Sequence, residues 1–275
     1  FSMMLPHSTG ARLYELANNH MWRTKFAFTQ WNSRAPGFLQ PPSGNTGGSE
    51  EEWMNYTLGQ YYTLLNAGFD LVPTAGTANG VHPVPLGFGR VYVHLPQGFN
   101  YTDWVRGLDA GRSFVTTGPM LLVTANGKPP GHTFKFEKPR MLRLKGSVLS
   151  ETPLRAIEVI VNGTVVKTLP PSKDKTKMGT HENPFDVEVK METSGWIAVR
   201  CWEDRPEGRF RFAHGAPFHV DIPGKPLRPS KAEAAYLVKR VTDQIERSKA
   251  ILPLTAIAEY EKALAIYRKI AKTAK

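Results

Sequence analysis

The sequence predicts an α/β region, then a run of antiparallel strands, then a pair of C-terminal helices, and three observations carry that expectation. From Ser49 to Thr117 helix and strand signals alternate. Beyond Gly118-Pro119 only strand signals remain, separated by turn residues. From Ser230 to Ala271 apolar residues recur at helical spacing on either side of Pro253. These shifts divide the chain into 1–119, 120–223 and 230–275.

Taken in order, Ala11 to Ala17 reads as a short strand ending in Asn18-Asn19-His20. The segment from Asn32 to Gly48 is rich in Pro, Gly, Ser and Asn without hydrophobic period, so it reads as a long loop. Trp22, Trp31 and Trp53 surround it, either as a wall for a planar substrate or as pins holding the loop. Ser49 caps the next helix, with Glu52 three residues on to return the bond, and Gly68 stops it. Phe69 to Ala75 is a short apolar strand leading into the glycine-rich loop Gly76 to His82. Arg90 to Leu95 alternates as a strand, Thr102 to Ala110 is a short helix, and Ser113 to Thr117 is a β-branched strand, so two αβ steps fit here.

The later strands are expected at Met120–Ala125, Thr133–Glu137, Met141–Leu149, Ala156–Val161, Thr164–Leu169, Phe185–Met191, Trp196–Trp202 and Phe210–Ile222. Asn162-Gly163 lies between two β-branched runs and predicts a tight hairpin, because both residues accept positive φ. Asn126-Gly127 is a second turn of that sort. Strands at this spacing suggest a small antiparallel sandwich of immunoglobulin-like shape. Pro170 to Asn183 reads as a polar loop, and Pro223 to Pro229 as a linker. Ser230 with Glu233 caps the first terminal helix, and Ile257, Tyr260, Leu264, Tyr267 and Ile270 stripe the second. The two stripes fit a helical hairpin packed on the body of the protein or a dimer contact.

A formal charge of +11 permits contact with an acidic surface, but no nucleic-acid motif accompanies it, so no nucleic-acid partner is expected. The single cysteine, Cys201, excludes an intrachain disulfide and a thiolate metal cluster and leaves the compartment open. No apolar run is long enough for a transmembrane helix. The sequons at Asn55, Asn100 and Asn162 carry no inference of glycosylation.

Four segments taken in order resemble one family: Tyr61-Tyr62-Thr63-Leu64-Leu65-Asn66-Ala67-Gly68-Phe69, the turn Ala75-Gly76-Thr77, Leu86-Gly87-Phe88-Gly89-Arg90-Val91-Tyr92-Val93, and Ala110-Gly111-Arg112-Ser113-Phe114-Val115-Thr116-Thr117-Gly118-Pro119. Their order and spacing are similar to the metallohydrolases of the polymerase-and-histidinol-phosphatase (PHP) superfamily, in the branch named after the carbaryl hydrolases CehA and McbA. The likeness continues at Trp196-Ile197-Ala198-Val199-Arg200 and Phe212-Ala213-His214-Gly215-Ala216-Pro217. The resemblance implies a distorted barrel of βα units, here its C-terminal part, that holds divalent metal ions (Zn, Mn or Fe) at the ends of its strands. Such metals activate a water against an ester, amide or phosphoester of a small-molecule substrate.

On that resemblance Glu15, His20 and His82 would be metal ligands and Asn19, Thr77 and Asn79 would contact substrate. Arg90 and Arg112 would orient it through their planar forks, unless each is instead paired with a structural carboxylate. His214 falls on a matching segment and is either packed or turned to the cleft. Two positions depart from the family: its early His-x-His pair has no counterpart, and its Gly-Ser/Thr-Asp motif reads Gly76-Thr77-Ala78. The lacking pair, with Phe1 in place of an initiator methionine, predicts that an N-terminal portion lies outside this chain. The other function class is a non-catalytic binding scaffold, which Ala78 favours.

Overall fold

The computed structural model describes residues 10–18, 21–22, 49–78, 84–172 and 174–275. The fold is mixed α/β, with mostly antiparallel sheets, four helices among the described residues, and a helical hairpin at its end. The first strand, β1 (Leu13–Ala17), lies parallel to β2 (Val72–Ala75), with Glu15 opposite Thr74. Helix α1 (Glu50–Asn66) joins their regions. Its start obeys the sequence: Ser49 accepts the Glu52 N–H at 3.1 Å, and the Glu52 carboxylate accepts the Ser49 N–H at 2.7 Å.

Next come β3 (Arg90–Val93), α2 (Tyr101–Asp109) and β4 (Ser113–Thr116). Asn100 caps α2 by accepting the Asp103 N–H. The elements follow the expected order, but the strands of the second αβ step are not parallel. β3 and β4 are antiparallel neighbours, Arg90 opposite Thr116 and Val93 opposite Ser113. β4 then hydrogen-bonds to β12 (Phe210–Gly215), so one sheet runs across the division expected at residue 119. The α2 connection is long enough for a parallel crossover, so its length does not decide the pairing, and β12 supplies a partner that no local signal near β4 reveals.

The remaining strands are β5 (Met120–Ala125), β6 (Thr133–Lys135), β7 (Arg140–Ser150), β8 (Leu154–Val161), β9 (Thr164–Leu169), β10 (His181–Met191), β11 (Gly195–Asp204) and β13 (Phe218–Asp221). β10, β7 and β5 form a three-stranded sheet; the other strands from β3 onward form an eight-stranded one centred on β11. β8 runs along one edge of β11, while β12 and β13 share the other, pairing with its C-terminal and N-terminal parts. The single strand expected over Phe210–Ile222 is therefore two strands. Ala216-Pro217 separates them, because proline has no N–H to continue a ladder. In the opposite sense, β10 starts at His181, earlier than expected. It pairs with β7 over its full length, and Pro184 is tolerated because β10 is an edge strand. The Asn162-Gly163 turn takes φ of 48° and 86°, as its hairpin requires.

Alternation along β11 explains the layering. Ile197, Val199 and Cys201 enter the core shared with β5, β7 and β10. Trp196, Ala198 and Trp202 enter a second core with α1, β1 and the terminal helices α3 (Lys231–Ser248) and α4 (Leu254–Ala271). The large sheet is thus covered on both faces. α1 is buried nearly all round, including Trp53, Met54, Tyr61 and Leu65, because it lies between the sheet and the hairpin. Ser230 and Glu233 form the second capping box. No helix among the described residues is long and apolar enough to cross a membrane.

Candidate functional site

The sequence places its expected site at the C-terminal ends of β1 and β2, and three backbone segments meet there. The Gly76 N–H donates to the Ala17 carbonyl at 3.0 Å, extending the parallel pair by one bond. A Cβ on Gly76 would lie 2.8 Å from Glu15 Oε1, and one on Gly89 would lie 2.7 Å from the Gly76 carbonyl oxygen. Glycine at 89 lets the turn before β3 close onto the strand end, and glycine at 76 leaves the Glu15 carboxylate its place. Glu15 is exposed and makes no hydrogen bond or ion pair with the described residues. Desolvation by the surrounding strand ends raises its carboxyl above the ordinary carboxylate value.

Thr77 follows Gly76, with its hydroxyl engaged in holding the loop. Its Oγ1 accepts the Gly89 N–H at 3.0 Å and lies 3.3 Å from the Gly89 carbonyl. The alanine at 78 adds no donor. Asn19, His20, Asn79 and His82 lie outside the described residues.

The two arginines do not converge on Glu15. Arg90 directs Nη2 to the Gly118 carbonyl at 3.4 Å, and its buried Nε has no partner among the described residues. Along β3, Val91 packs with the helical core whereas Tyr92 stacks on Phe114, so Arg90 shares the Tyr92 face, away from β1. Arg112 follows the turn after α2, at the opposite end of the β3–β4 pair. Four residues of strand separate the two positions by about 13 Å along the strand direction.

Side chains far apart in sequence assemble beyond Arg90. Glu50, at the first turn of α1, accepts from Arg209 Nε at 2.6 Å and from the Phe210 N–H at 2.7 Å. Burial raises its carboxyl, and these donors oppose the shift. The Arg209 guanidinium lies 3.9 Å from the Trp22 ring centre, and Arg211 stands 4.9 Å from that of Phe88. Trp22 therefore pins its segment to β12. Glu203 is fully buried and accepts the Thr152 N–H and hydroxyl at 3.0 and 2.7 Å. Its Oε2 faces Gly118 and has no hydrogen-bond partner among the described residues. Sequence reasoning missed this group because its members come from α1, β11 and β12. The alternation of Arg209 and Arg211 with Phe210 and Phe212 is the one local sign of it.

His214 is fully buried on the helical face of β12. Its Nδ1–H donates to the Gly215 carbonyl at 2.7 Å, which leaves Nε2 to accept the Tyr62 hydroxyl at 2.8 Å. Burial first, and then the Arg200 charge, lowers its pKa from 6.5 to about 3. Burial pushes Tyr62 up to about 12. Both are neutral in the ordinary pH range. Arg200 completes the network, bonding Glu158 at 2.6 Å, and the Trp202 indole N–H donates to the same oxygen. No substrate reaches this histidine, and its role is to join α1 to the sheet.

Fold and site together define a mixed α/β protein whose exposed strand-end carboxylate stands apart from a buried polar network. Comparisons with family models, with curated proteins and with solved structures returned no match to the chain. Among the described residues no group of three His, Cys, Asp or Glu side chains could hold a metal ion. The described part of the strand end supplies Glu15 alone, which does not by itself fit a metal.

Proposed function

We propose that the chain is a metal-dependent hydrolase-like protein of the PHP type, acting on an ester, amide or phosphoester. In this reading β1 and β2 are barrel strands, and the two facing sheets are an immunoglobulin-like sandwich. The observation that supports it best is the Glu15 carboxylate, unpaired among the described residues, near the C-terminal end of a parallel strand pair, where Gly76 leaves room for it. Glu15 would be one ligand, and His20 and His82 would supply imidazoles. A divalent ion held there would provide a nucleophilic hydroxide at neutral pH. The chain's own part is to hold a carboxylate at the strand end and to fix the loop through Thr77.

A second reading, a non-catalytic binding scaffold, is favoured by Ala78 and by the direction of Arg90, which turns to Gly118. Elemental analysis of protein purified without chelator separates the two. The hydrolase reading expects bound divalent metal, with Glu15→Gln weakening its affinity by about tenfold or more. If the unsubstituted chain retains no metal, the scaffold reading takes its place.

A further inference from the structure

Between the β3–β4 pair and the three-stranded sheet lies a cavity of about 430 Å³, within the size range of small-molecule sites. Much of its wall is apolar: Tyr92 and Phe114 stack at 5.2 Å with their planes 12° apart, and Met120, Leu122 and Val123 of β5 also line it. Leu122, on the face of β5 opposite the buried Leu121 and Val123, is 52% exposed beside this space. β7 forms the floor. A Cβ at Gly146 would lie 2.1 Å from the Leu122 carbonyl oxygen, so the glycine is what allows β7 to approach.

The charged groups of the cavity are cationic. Arg112 lines it with a buried Nε that has no partner among the described residues, and its guanidinium makes no hydrogen bond or ion pair with any of them. Lys145 and His94 stand exposed at the rim, and no aspartate or glutamate among the described residues lines the space. Buried polar atoms in folded proteins are ordinarily bonded, so the orphaned Arg112 beside this cavity asks for a partner. A carboxylate fits it, since the guanidinium fork can bind its two oxygens.

We infer that this cavity is a binding site for a small amphipathic carboxylate, with a flat apolar body against Tyr92 and Phe114 and its anionic group on Arg112. Arg112 is then a ligand-binding residue of this site, remote from the Glu15 strand end, and the site exists whether or not Glu15 holds a metal.

Titration calorimetry of the full chain with 2-naphthoate, and with the uncharged 2-naphthalenemethanol, tests it. The expected result is saturable binding of naphthoate, at least tenfold weaker binding of the alcohol, and a loss of at least tenfold for Arg112→Gln. Lys145→Glu changes an exposed residue, so it keeps the test open even if Arg112→Gln fails to fold; it is expected to weaken naphthoate severalfold with an unchanged melting temperature. Absence of naphthoate binding at millimolar concentration would overturn the assignment, as would alcohol binding of equal strength. Naphthoate affinity that Lys145→Glu and any folded Arg112→Gln protein leave unchanged would overturn it equally.

Discussion

Gly131→Ala is expected to destabilise the protein by roughly 3 kcal/mol or more, combining the cost of a left-handed alanine with that of a backbone overlap. Gly131 has φ of +80°, and a Cβ there would lie 1.9 Å from the Ala110 carbonyl oxygen and 2.8 Å from the Gly111 carbonyl carbon. Neither contact is with a flexible side chain that could swing away. The Gly131 N–H also donates to the Pro217 carbonyl at 2.9 Å. This glycine therefore joins the turn between α2 and β4 to the break between β12 and β13. Gly127→Ala separates the two contributions. Its φ is +75° with nothing within 4 Å of a Cβ, so it is expected to cost about 1 kcal/mol, from conformation alone. Urea denaturation of both variants makes the comparison. Equal losses would show that the close approach at Gly131 is not formed. Pro130 lines the apolar cavity, so Gly131→Ala is also expected to weaken naphthoate binding.

Acid is expected to unfold the protein in part through His214. In the unfolded chain this imidazole takes up a proton below about pH 6.5, whereas in the folded chain it does so only near pH 3. The unfolded state thus binds the extra proton between those limits, so the stability present above pH 6.5 is lost as the pH falls toward 3. Between pH 6.5 and 4.5 the loss from this one group is roughly 3 kcal/mol, two pH units at about 1.4 kcal/mol each. His214→Gln cannot titrate. It is expected to cost about 1–3 kcal/mol at about pH 7.5, by disturbing the bonds to Tyr62 and Gly215, and to flatten the acid limb. Denaturant midpoints of both proteins, taken from mildly alkaline to mildly acid pH, check this; parallel pH profiles would contradict the buried, neutral assignment.

Residues that act on their near neighbours are legible in the sequence. Ser49 with Glu52 and Ser230 with Glu233 set helix starts within one turn, and Asn162-Gly163 sets a hairpin from the φ its two residues accept. The apolar stripes of α3 and α4 announce a hairpin packed on the body. Of the expected site, Glu15 lies in β1 against Gly76, and Thr77 holds the loop through Gly89. The rest of the expected residues that the structure describes follow other partners: Arg90 turns to Gly118, Arg112 faces the apolar cavity, and His214 is sealed against Tyr62.

The sequence by itself determined the helices, the turns and most strands, because capping, periodicity and turn chemistry are settled over a few residues. Only the tertiary structure decided which strands share a sheet. It moved β3 and β4 to β12, split Phe210–Ile222 at Pro217, and drew His181 into β10. The reason is that a strand exposes the same backbone donors and acceptors on both edges whatever its side chains, so its partners are chosen by the packing of the whole. Side-chain fates follow from that choice. Glu50, Glu203 and Arg211 meet only because α1 and the ends of β11 and β12 are brought together, and Arg112 gains its cavity only because β5 and β7 fold across β3 and β4.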